Sequence, residues 1–335
     1  MPNEPRRDTA HARLNTLRKE RLLKYARLGK TDLVVSRICF GCWQLSPRFW
    51  GEVDLEQWRA ALDAALDLGV NFIDTADAYG EGYAESSLGD WLASRKCRDR
   101  LIIATKFYHN FEDPENRVPD TSYDYIIREC EASLKRLRTD VIDLYQIHAW
   151  DPLTRPDEVG AALMRLRKEG KVRWFGVSNL NADQIRMYDR HFEVSCLQPL
   201  YNMIDRQVEE RELPLCLEKR IGVITYSSLA RGLLSGKYTP ETRFDDHRGK
   251  NGRFQGETFK RLLDGVNSLQ PIADKHGLTI AQLAVRWVLT HPAVTSAIVG
   301  IKRVEHIQSI VAAADDVLPA RDWWQAAGII AHAKS

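Results

Sequence analysis

The stretch WRAALDAALDLGVNFID, residues 58–74, contains the pattern on which the fold prediction depends. Its apolar side chains recur at intervals of three and four residues, which predicts an amphipathic helix. They are Trp58, Ala61, Ala65 and Leu68. Gly69 is typical of a helix C-cap, and Val70–Asp74 follows as an apolar strand that ends in an acid. The stretch therefore predicts one helix followed directly by one strand.

The same order of helix and strand returns along the chain and yields eight predicted strands. They are Ile38–Gly41, Val70–Asp74, Leu101–Thr105, Val141–Ile147, Val172–Val177, Cys196–Leu200, Gly222–Thr225 and Thr295–Val299. Strands separated by helices need crossover connections, and so form a parallel sheet. Eight such units favour a (β/α)8 TIM barrel. A doubly wound sheet is the alternative, but no G-x-G-x-x-G follows the first strand.

Two segments lie outside this repeat. Tyr25–Arg27 and Leu33–Ser36 flank a turn, so we expect a β-hairpin that plugs the N-terminal end of the barrel. The polar stretch from Ser235 to about Gly277 predicts a long loop between the seventh and eighth strands. We expect one barrel domain over residues 25–335, preceded by a basic extension over residues 1–24.

Composition and charge exclude several classes of protein. With 44% hydrophobic and 28% charged residues, the chain has an ordinary globular composition. Residues 1–24 hold seven basic and three acidic side chains, a charge of +4. Since the whole chain has a net charge of +2, the remaining residues carry a charge of −2. A body this close to neutral gives no case for nucleic-acid binding. No apolar run approaches the ~20 residues of a membrane span, and no apolar leader begins the chain, so we expect a cytoplasmic protein.

The six cysteines include one C-x-x-C pair, Cys39 and Cys42. A thioredoxin-like motif opens a helix, whereas this pair lies within a predicted strand, and no second pair stands at zinc-ribbon spacing. We therefore expect buried structural thiols rather than redox or metal chemistry, and no metal site.

Barrel enzymes place their active sites where the strands end. The second predicted strand ends in Asp74, with Tyr79 in the next loop; Lys106 and His148 follow the third and fourth strands. A lysine beside a tyrosine is expected to lower the phenol pKa, and an aspartate to hold the lysine. Tyr79 would then donate a proton near neutral pH while His148 orients a carbonyl. This set predicts carbonyl reduction with a hydride-donating cofactor.

Cofactor signals lie on the later strands. Tyr226 ends the seventh strand and is expected to stack on a nicotinamide ring, and the segment 227–232 offers backbone donors to a diphosphate. Lys302 and Arg303 open a helix after the eighth strand, a common phosphate site in barrels, which favours NADP(H) over NAD(H). The side chains expected to hydrogen-bond the carboxamide are Ser178, Asn179 and Gln198.

From Tyr25 to about residue 315 the chain resembles the aldo-keto reductase superfamily. The segments that carry the resemblance are GVNFIDTADAYG (69–80), DLYQIH (143–148), GVSN (176–179) and YSSLARGLLSGK (226–237). The resemblance implies a reversible NADPH-dependent reductase of aldehydes or ketones, with Tyr79 as general acid and Asp74, Lys106 and His148 around it. The cofactor contacts that it implies are Trp43, Asp74, Ser178, Asn179, Gln198, Tyr226, Ser227, Leu229, Gly232, Lys237, Gly300, Lys302 and Gln308.

Two positions depart from the family pattern, and the substrate pocket is less specific. Ser228 stands where a proline is usual, and Ile310 where an asparagine usually binds adenine. Aromatic side chains predicted on loops at the catalytic end suit sugars, polyol-derived carbonyls or aromatic aldehydes. They are Trp43, Trp50, Tyr108 and Trp150.

Two other functions stay open. Potassium-channel β subunits are similar to this fold, so a cofactor-binding regulatory subunit is one alternative. A glycoside hydrolase with Asp74 and Asp143 as its carboxylate pair is the other, although Asp143 lies early in its strand, away from the catalytic end. The sequence predicts no oligomeric state.

Overall fold

The computed structural model describes residues 25–111 and 117–334. Its strands, in chain order, are β1 (Tyr25–Arg27), β2 (Val34–Ser36), β3 (Ile38–Gly41), β4 (Phe72–Asp74), β5 (Ile102–Phe107), β6 (His109–Asn110), β7 (Val118–Pro119), β8 (Ile142–Ile147), β9 (Val172–Ser178), β10 (Cys196–Gln198), β11 (Gly222–Thr225) and β12 (Val294–Gly300). Eight of these, β3 to β5 and β8 to β12, close a parallel barrel in which β3 pairs with both β4 and β12. The predicted TIM barrel is confirmed.

Helices connect the barrel strands. They are Pro47–Trp50, Leu55–Asp67, Tyr83–Arg95, Tyr123–Leu137, Pro156–Lys168, Ala182–Tyr188, Glu212–Lys219, Gly256–Asn267, Gln270–Lys275, Ile280–Thr290, Val304–Ile310 and Ala320–Lys334. The helix before β4 begins at the N-cap Asp54, whose carboxylate accepts from two backbone N–H groups. It ends before Gly69, which adopts a left-handed φ of 85°. The opening stretch of sequence therefore folds as its pattern predicts.

The hairpin closes the N-terminal end of the barrel, as predicted. β1 and β2 pair antiparallel, and Leu28 between them is fully buried among side chains of the barrel interior. Gly222, the first residue of β11, is a glycine for this reason: a Cβ there would lie 2.4 Å from Leu28 Cδ1. Asp32 in the turn accepts hydrogen bonds from Arg173 and Trp174 at 2.8 and 2.7 Å, which ties the hairpin to β9.

The connection from β11 to β12 is long, but it is a loop over only part of the predicted range. Its second half forms the helices Gly256–Asn267 and Gln270–Lys275. The first of these buries a stripe that the sequence interpretation overlooked, namely Phe259, Leu262, Leu263 and Val266. It packs against the C-terminal helix so closely that a Cβ on Gly265 would lie 2.4 Å from Ala333 Cβ. The loop prediction for residues 256–275 is therefore wrong.

Three other expectations can be compared with the structure. The six cysteines are free and buried, as expected. In the described ranges no helix is long and apolar enough to cross a bilayer. Across residues 25–111 and 117–334 no group of three or more His, Cys, Asp or Glu is arranged to hold a metal ion. The predicted basic extension, residues 1–24, lies outside the described residues.

Candidate active site

An ion pair lies at the carboxyl ends of β4 and β5. Lys106 is fully buried, and its Nζ donates to both carboxylate oxygens of Asp74 at 2.8 and 2.9 Å. The same ammonium donates to the Thr75 carbonyl at 2.7 Å and lies 3.3 Å from the Tyr79 hydroxyl. Because β4 and β5 are adjacent and parallel, they bring residues 32 positions apart in sequence into contact. Three of the four predicted catalytic residues therefore form one cluster.

The electrostatics of this cluster differ from the sequence expectation in one respect. Burial raises the pKa of Tyr79 to about 12, although the Lys106 ammonium acts in the opposite direction. Burial opposes the charged form of Lys106 as well, but the Asp74 carboxylate raises the pKa of Lys106 above its usual value. The expectation of a lowered phenol pKa is wrong, because the free-energy cost of removing the phenolate from water exceeds the stabilisation that the Lys106 ammonium gives it. At neutral pH Tyr79 is a protonated hydroxyl beside a cation.

His148 completes the set at the end of β8. Its ring centroid lies 5.9 Å from that of Tyr79. Burial, helped by Lys106 and His109, holds the pKa of His148 well below its usual value, so the imidazole is neutral. Within the described part of the chain its Nδ1 is buried without a partner. The tautomer with the proton on Nε2 leaves no buried N–H unpaired, and it offers a donor to a ligand.

A cavity of about 1230 Å³ opens over this cluster and extends to the helix after β12. Its wall contains most of the side chains that the sequence picked out. They are Trp43, Trp50, Asp74, Tyr79, His148, Ser178, Asn179, Gln198, Tyr226, Ser227, Leu229, Gly232, Lys237, Gly300 and Lys302. Lys106 lies behind the wall, where it contacts Asp74 and Tyr79 rather than a ligand.

The polar residues at the ends of β9 and β10 are joined to one another. Asn179 Nδ2 donates to the His148 carbonyl at 3.0 Å, and Asn179 Oδ1 accepts from the Tyr226 hydroxyl at 2.8 Å. Ser178 Oγ donates to the Gln198 carbonyl, and Gln198 Nε2 donates to Asp74 Oδ2 at 2.8 Å. No donor among the described residues is paired with the side-chain oxygen of Gln198, which leaves this oxygen for a ligand.

Besides Lys106, three predicted residues do not reach the cavity wall. Gln308 is exposed, while Glu305, His306 and Ser309 of the same helix face the cavity. Tyr108 donates to the Trp150 carbonyl at 3.2 Å, and the Trp150 ring packs on Tyr188. Tyr108 and Trp150 therefore contact other residues instead. The name aromatic wall is kept for the adjoining rings of Trp43, Phe49 and Trp50, which do line the cavity.

The backbone after β11 adopts an uncommon conformation along one side of the cavity. Ser227, Ala230 and Arg231 have left-handed φ angles of 55°, 47° and 59°, and Gly232 has a φ of 94°. Non-glycine residues with positive φ are unusual and cluster at ligand-binding sites. From this loop and from the end of β12, several cations reach the wall: Arg231, Lys237, Arg248 and Lys302.

The sequence interpretation missed some of the wall. Arg48 and Arg117 line it, as does His109, which follows β5 in the short arm formed by β6 and β7. Gln44 also lines it, and a Cβ on Gly300 would lie only 1.7 Å from Gln44 Nε2. The glycine therefore makes room for this amide. None of these residues ends a strand of the barrel, so the rule that active sites lie where barrel strands end could not find them.

Comparison with known proteins agrees with this geometry. The sequence profile of the Aldo/keto reductase family matches residues 37–331. Aldo-keto reductase YhdN of Bacillus subtilis (strain 168) is 36% identical over 296 residues, which cover 86% of this chain and 88% of YhdN. A probable voltage-gated potassium channel subunit beta of Arabidopsis thaliana is 34% identical over 309 residues, which cover 89% of this chain and 92% of that protein.

Among solved structures, the glycerol dehydrogenase AKR11B4 from Gluconobacter oxydans superposes with a TM-score of 0.84 at 32% identity, covering 92% of this chain and 95% of that one. The family profile, the sequence relatives and the solved structure each match over the whole length of the barrel. The chain therefore belongs to the aldo/keto reductase family.

Proposed function

We propose that this protein is an NADP(H)-dependent oxidoreductase that reduces an aldehyde or ketone to the alcohol, in a reversible reaction. The observation that carries the proposal is the contact of the Tyr79 hydroxyl with the buried Lys106–Asp74 pair, on a cavity wall shared with His148. The family uses nicotinamide cofactors; the choice of NADP(H) and the roles below are part of the proposal.

The residues of the cavity fit such a cofactor. At about 1230 Å³ the cavity is larger than a site for one drug-sized ligand, so a dinucleotide and a small substrate fit together. Tyr226 offers a ring for the nicotinamide, while Ser178, Asn179 and Gln198 border the place of its carboxamide. Lys237 and Lys302 provide positive charge for phosphate groups, and Lys302 after β12 favours a 2′-phosphate. When bound, the reduced cofactor supplies a hydride to the carbonyl carbon.

The chain's own residues handle the proton. Tyr79 is neutral at physiological pH, so its hydroxyl donates a hydrogen bond to the carbonyl oxygen and then its proton as that oxygen becomes an alkoxide. The Lys106 ammonium, 3.3 Å away, stabilises the phenolate that remains. Asp74 holds the ammonium in place through two hydrogen bonds. The neutral His148 orients the carbonyl oxygen by donating from Nε2.

Substitution of the acid tests the proposal. Tyr79→Phe should lower kcat for carbonyl reduction by roughly 10²- to 10⁴-fold, the usual contribution of a general acid, while NADPH still quenches tryptophan fluorescence. Tyr83→Phe is the matched control, since Tyr83 is exposed just beyond the same loop. An unchanged kcat in Tyr79→Phe would remove this residue from the acid role.

Cofactor choice is tested separately by titrating the wild type with NADPH and NADH. Lys302→Met should reduce the preference for NADPH by roughly tenfold or more, because a charge-assisted contact is lost. A wild type that binds NADH more tightly than NADPH would refute the NADP(H) part of the proposal.

The similarity to a channel β subunit supports a second candidate, a cofactor-binding regulatory subunit. It predicts cofactor binding without appreciable turnover of any carbonyl compound. Rapid turnover by the purified protein would count against it.

A further inference from the structure

We propose that the substrate carbonyl compound carries an anionic group, a carboxylate or a phosphate, which Arg48 and Arg117 bind at the mouth of the cavity. This inference rests on the proposed reductase function and names the class of substrate for the same site.

Both arginines lie beside the loop that carries Tyr79. Arg48 belongs to the helix Pro47–Trp50, which is in van der Waals contact with this loop, since a Cβ on Gly80 would lie 3.4 Å from Pro47 Cδ. Arg117, just before β7, forms an ion pair with Glu81, two residues beyond Tyr79. Both arginines line the cavity together with Tyr79 and His148. They therefore lie at the end of the cavity where the proton is transferred.

The charge of this pair is only partly neutralised by its described surroundings. Arg48 makes no hydrogen bond or ion pair with another residue of the ranges 25–111 and 117–334, and Arg117 has Glu81 as its only ion-pair partner there. Arg117 Nε is buried without an acceptor among the same residues. Burial, and then the charge of Arg48, lower the pKa of Arg117, so the two cations repel each other. An anion bound between them would relieve that repulsion and accept the buried N–H.

A second carboxyl group close to Arg117 does not replace such an anion. Asp77 is fully buried, and burial raises its pKa well above the usual value. Burial therefore disfavours the charged form of this carboxyl relative to that of an exposed aspartate, which weakens its attraction for the guanidinium of Arg117.

The cofactor does not account for these two arginines. The cations of the wall are Arg48, Arg117, Arg231, Lys237, Arg248 and Lys302, and the carboxylates are Asp74 and Glu305. Four of the cations come from the segments after β11 and β12, where the phosphates of a dinucleotide are expected. Asp74 is already paired with Lys106, and Glu305 lies on the helix after β12. Among the described residues, Arg48 and Arg117 outnumber Glu81 at the end near Tyr79, and this excess of positive charge favours an anionic substrate.

Pairs of substrates that differ only in charge test the inference. We would measure kcat/KM with NADPH for 4-oxobutanoate against its methyl ester, and for glyceraldehyde 3-phosphate against glyceraldehyde. The wild type should prefer the anion in at least one pair, and the pair that responds distinguishes carboxylate from phosphate. Arg48→Gln and Arg117→Gln should each lower that preference by roughly tenfold to a hundredfold. Arg48→Lys, which keeps the charge, should recover part of it.

Arg59→Gln is the matched control, because it removes a half-buried guanidinium outside the cavity, whose Nη2 lies 4.0 Å from the Asp90 carboxylate. It should keep the wild-type preference. A binding measurement independent of turnover uses succinamate, an unreactive carbonyl analogue, against its methyl ester, by calorimetry with and without saturating NADP⁺. Tighter binding of the acid that is lost in Arg48→Gln supports the inference even if no aldehyde is turned over.

Two results would overturn the inference and leave the proposed function intact. The first is reduction of the neutral member of each pair as efficiently as the anion. The second is a loss of NADPH affinity in Arg48→Gln and Arg117→Gln with an unchanged anion preference, which would assign both arginines to the cofactor. Failure of the proposed function has a different signature: no reduction of either member of any pair.

Discussion

Removal of the buried ammonium by Lys106→Met should destabilise the fold and abolish the chemistry together. The substitution leaves the Asp74 carboxylate buried, with Gln198 as its remaining side-chain donor in the described structure, and the Thr75 carbonyl loses its contact. Removing one partner of a buried ion pair costs about 3–5 kcal/mol. A chain of 335 residues unfolds with an entropy of about 0.7 kcal/mol/K, so Tm should fall by about 4–7 °C.

Thermal denaturation followed by circular dichroism measures this effect. Lys171→Met is the control, because Lys171 makes ion pairs with Glu131 and Glu169 at the surface, where such pairs contribute about 0–1 kcal/mol. The double variant Asp74→Asn/Lys106→Met removes the unpaired charge and should regain part of the lost Tm without regaining turnover. A Tm in Lys106→Met no lower than in Lys171→Met would refute the argument, since the ammonium would then not be compensating a buried carboxylate.

Three further predictions concern pH, packing and cofactor release. Because Tyr79 has a pKa of about 12, it stays protonated between pH 7 and 10, and the rate of carbonyl reduction should not fall through loss of this acid. Alcohol oxidation needs the phenolate, so its rate should rise about tenfold per pH unit over the same range. Oxidation rates that fall with rising pH would contradict this. Gly222→Ala should destabilise by about 1–3 kcal/mol in urea denaturation through overlap with Leu28, whereas Gly328→Ala, in open space on a helix, should not. His247 packs on Trp50 with ring centroids 4.5 Å apart, which fastens the loop after β11 to the aromatic wall; in stopped-flow fluorescence His247→Ala should release NADPH roughly three- to tenfold faster, and an unchanged rate would show that this contact does not retain the cofactor.

The barrel was predictable from sequence because burial imposes a period on each element. Two strands have the predicted bounds, namely Ile38–Gly41 and Gly222–Thr225. A short apolar run between glycines and amphipathic helices can form few structures other than a buried strand. The helix Gly256–Asn267 was not predicted, because its apolar stripe is short and the residues around it are polar. Tertiary packing against the C-terminal helix stabilises it, and such packing is not visible locally.

The cluster of Asp74, Tyr79, Lys106 and His148 was predictable for another reason, which is that parallel strands end at one face. The direction of the Tyr79 pKa was not, because it depends on the balance between burial and one ammonium. Side chains on loops were predicted least well. Trp150 faces Tyr188 instead of the cavity, and Arg48 enters the wall through a short helix whose position depends on its packing against Gly80.

The hairpin over the N-terminal end has a consequence for engineering. Leu28 and Gly222 fill one end of the barrel, while every residue proposed for chemistry lies at the other end, with the ligand cavity. The contribution of the hairpin to thermal stability therefore comes from the end of the barrel opposite the residues proposed for turnover. Substitutions around Asp32 and Arg173 therefore offer a way to raise the Tm of such an enzyme without changing its substrate selectivity. Conversely, random substitution at the open end can be used to search for new substrates while the hairpin contacts stay as they are.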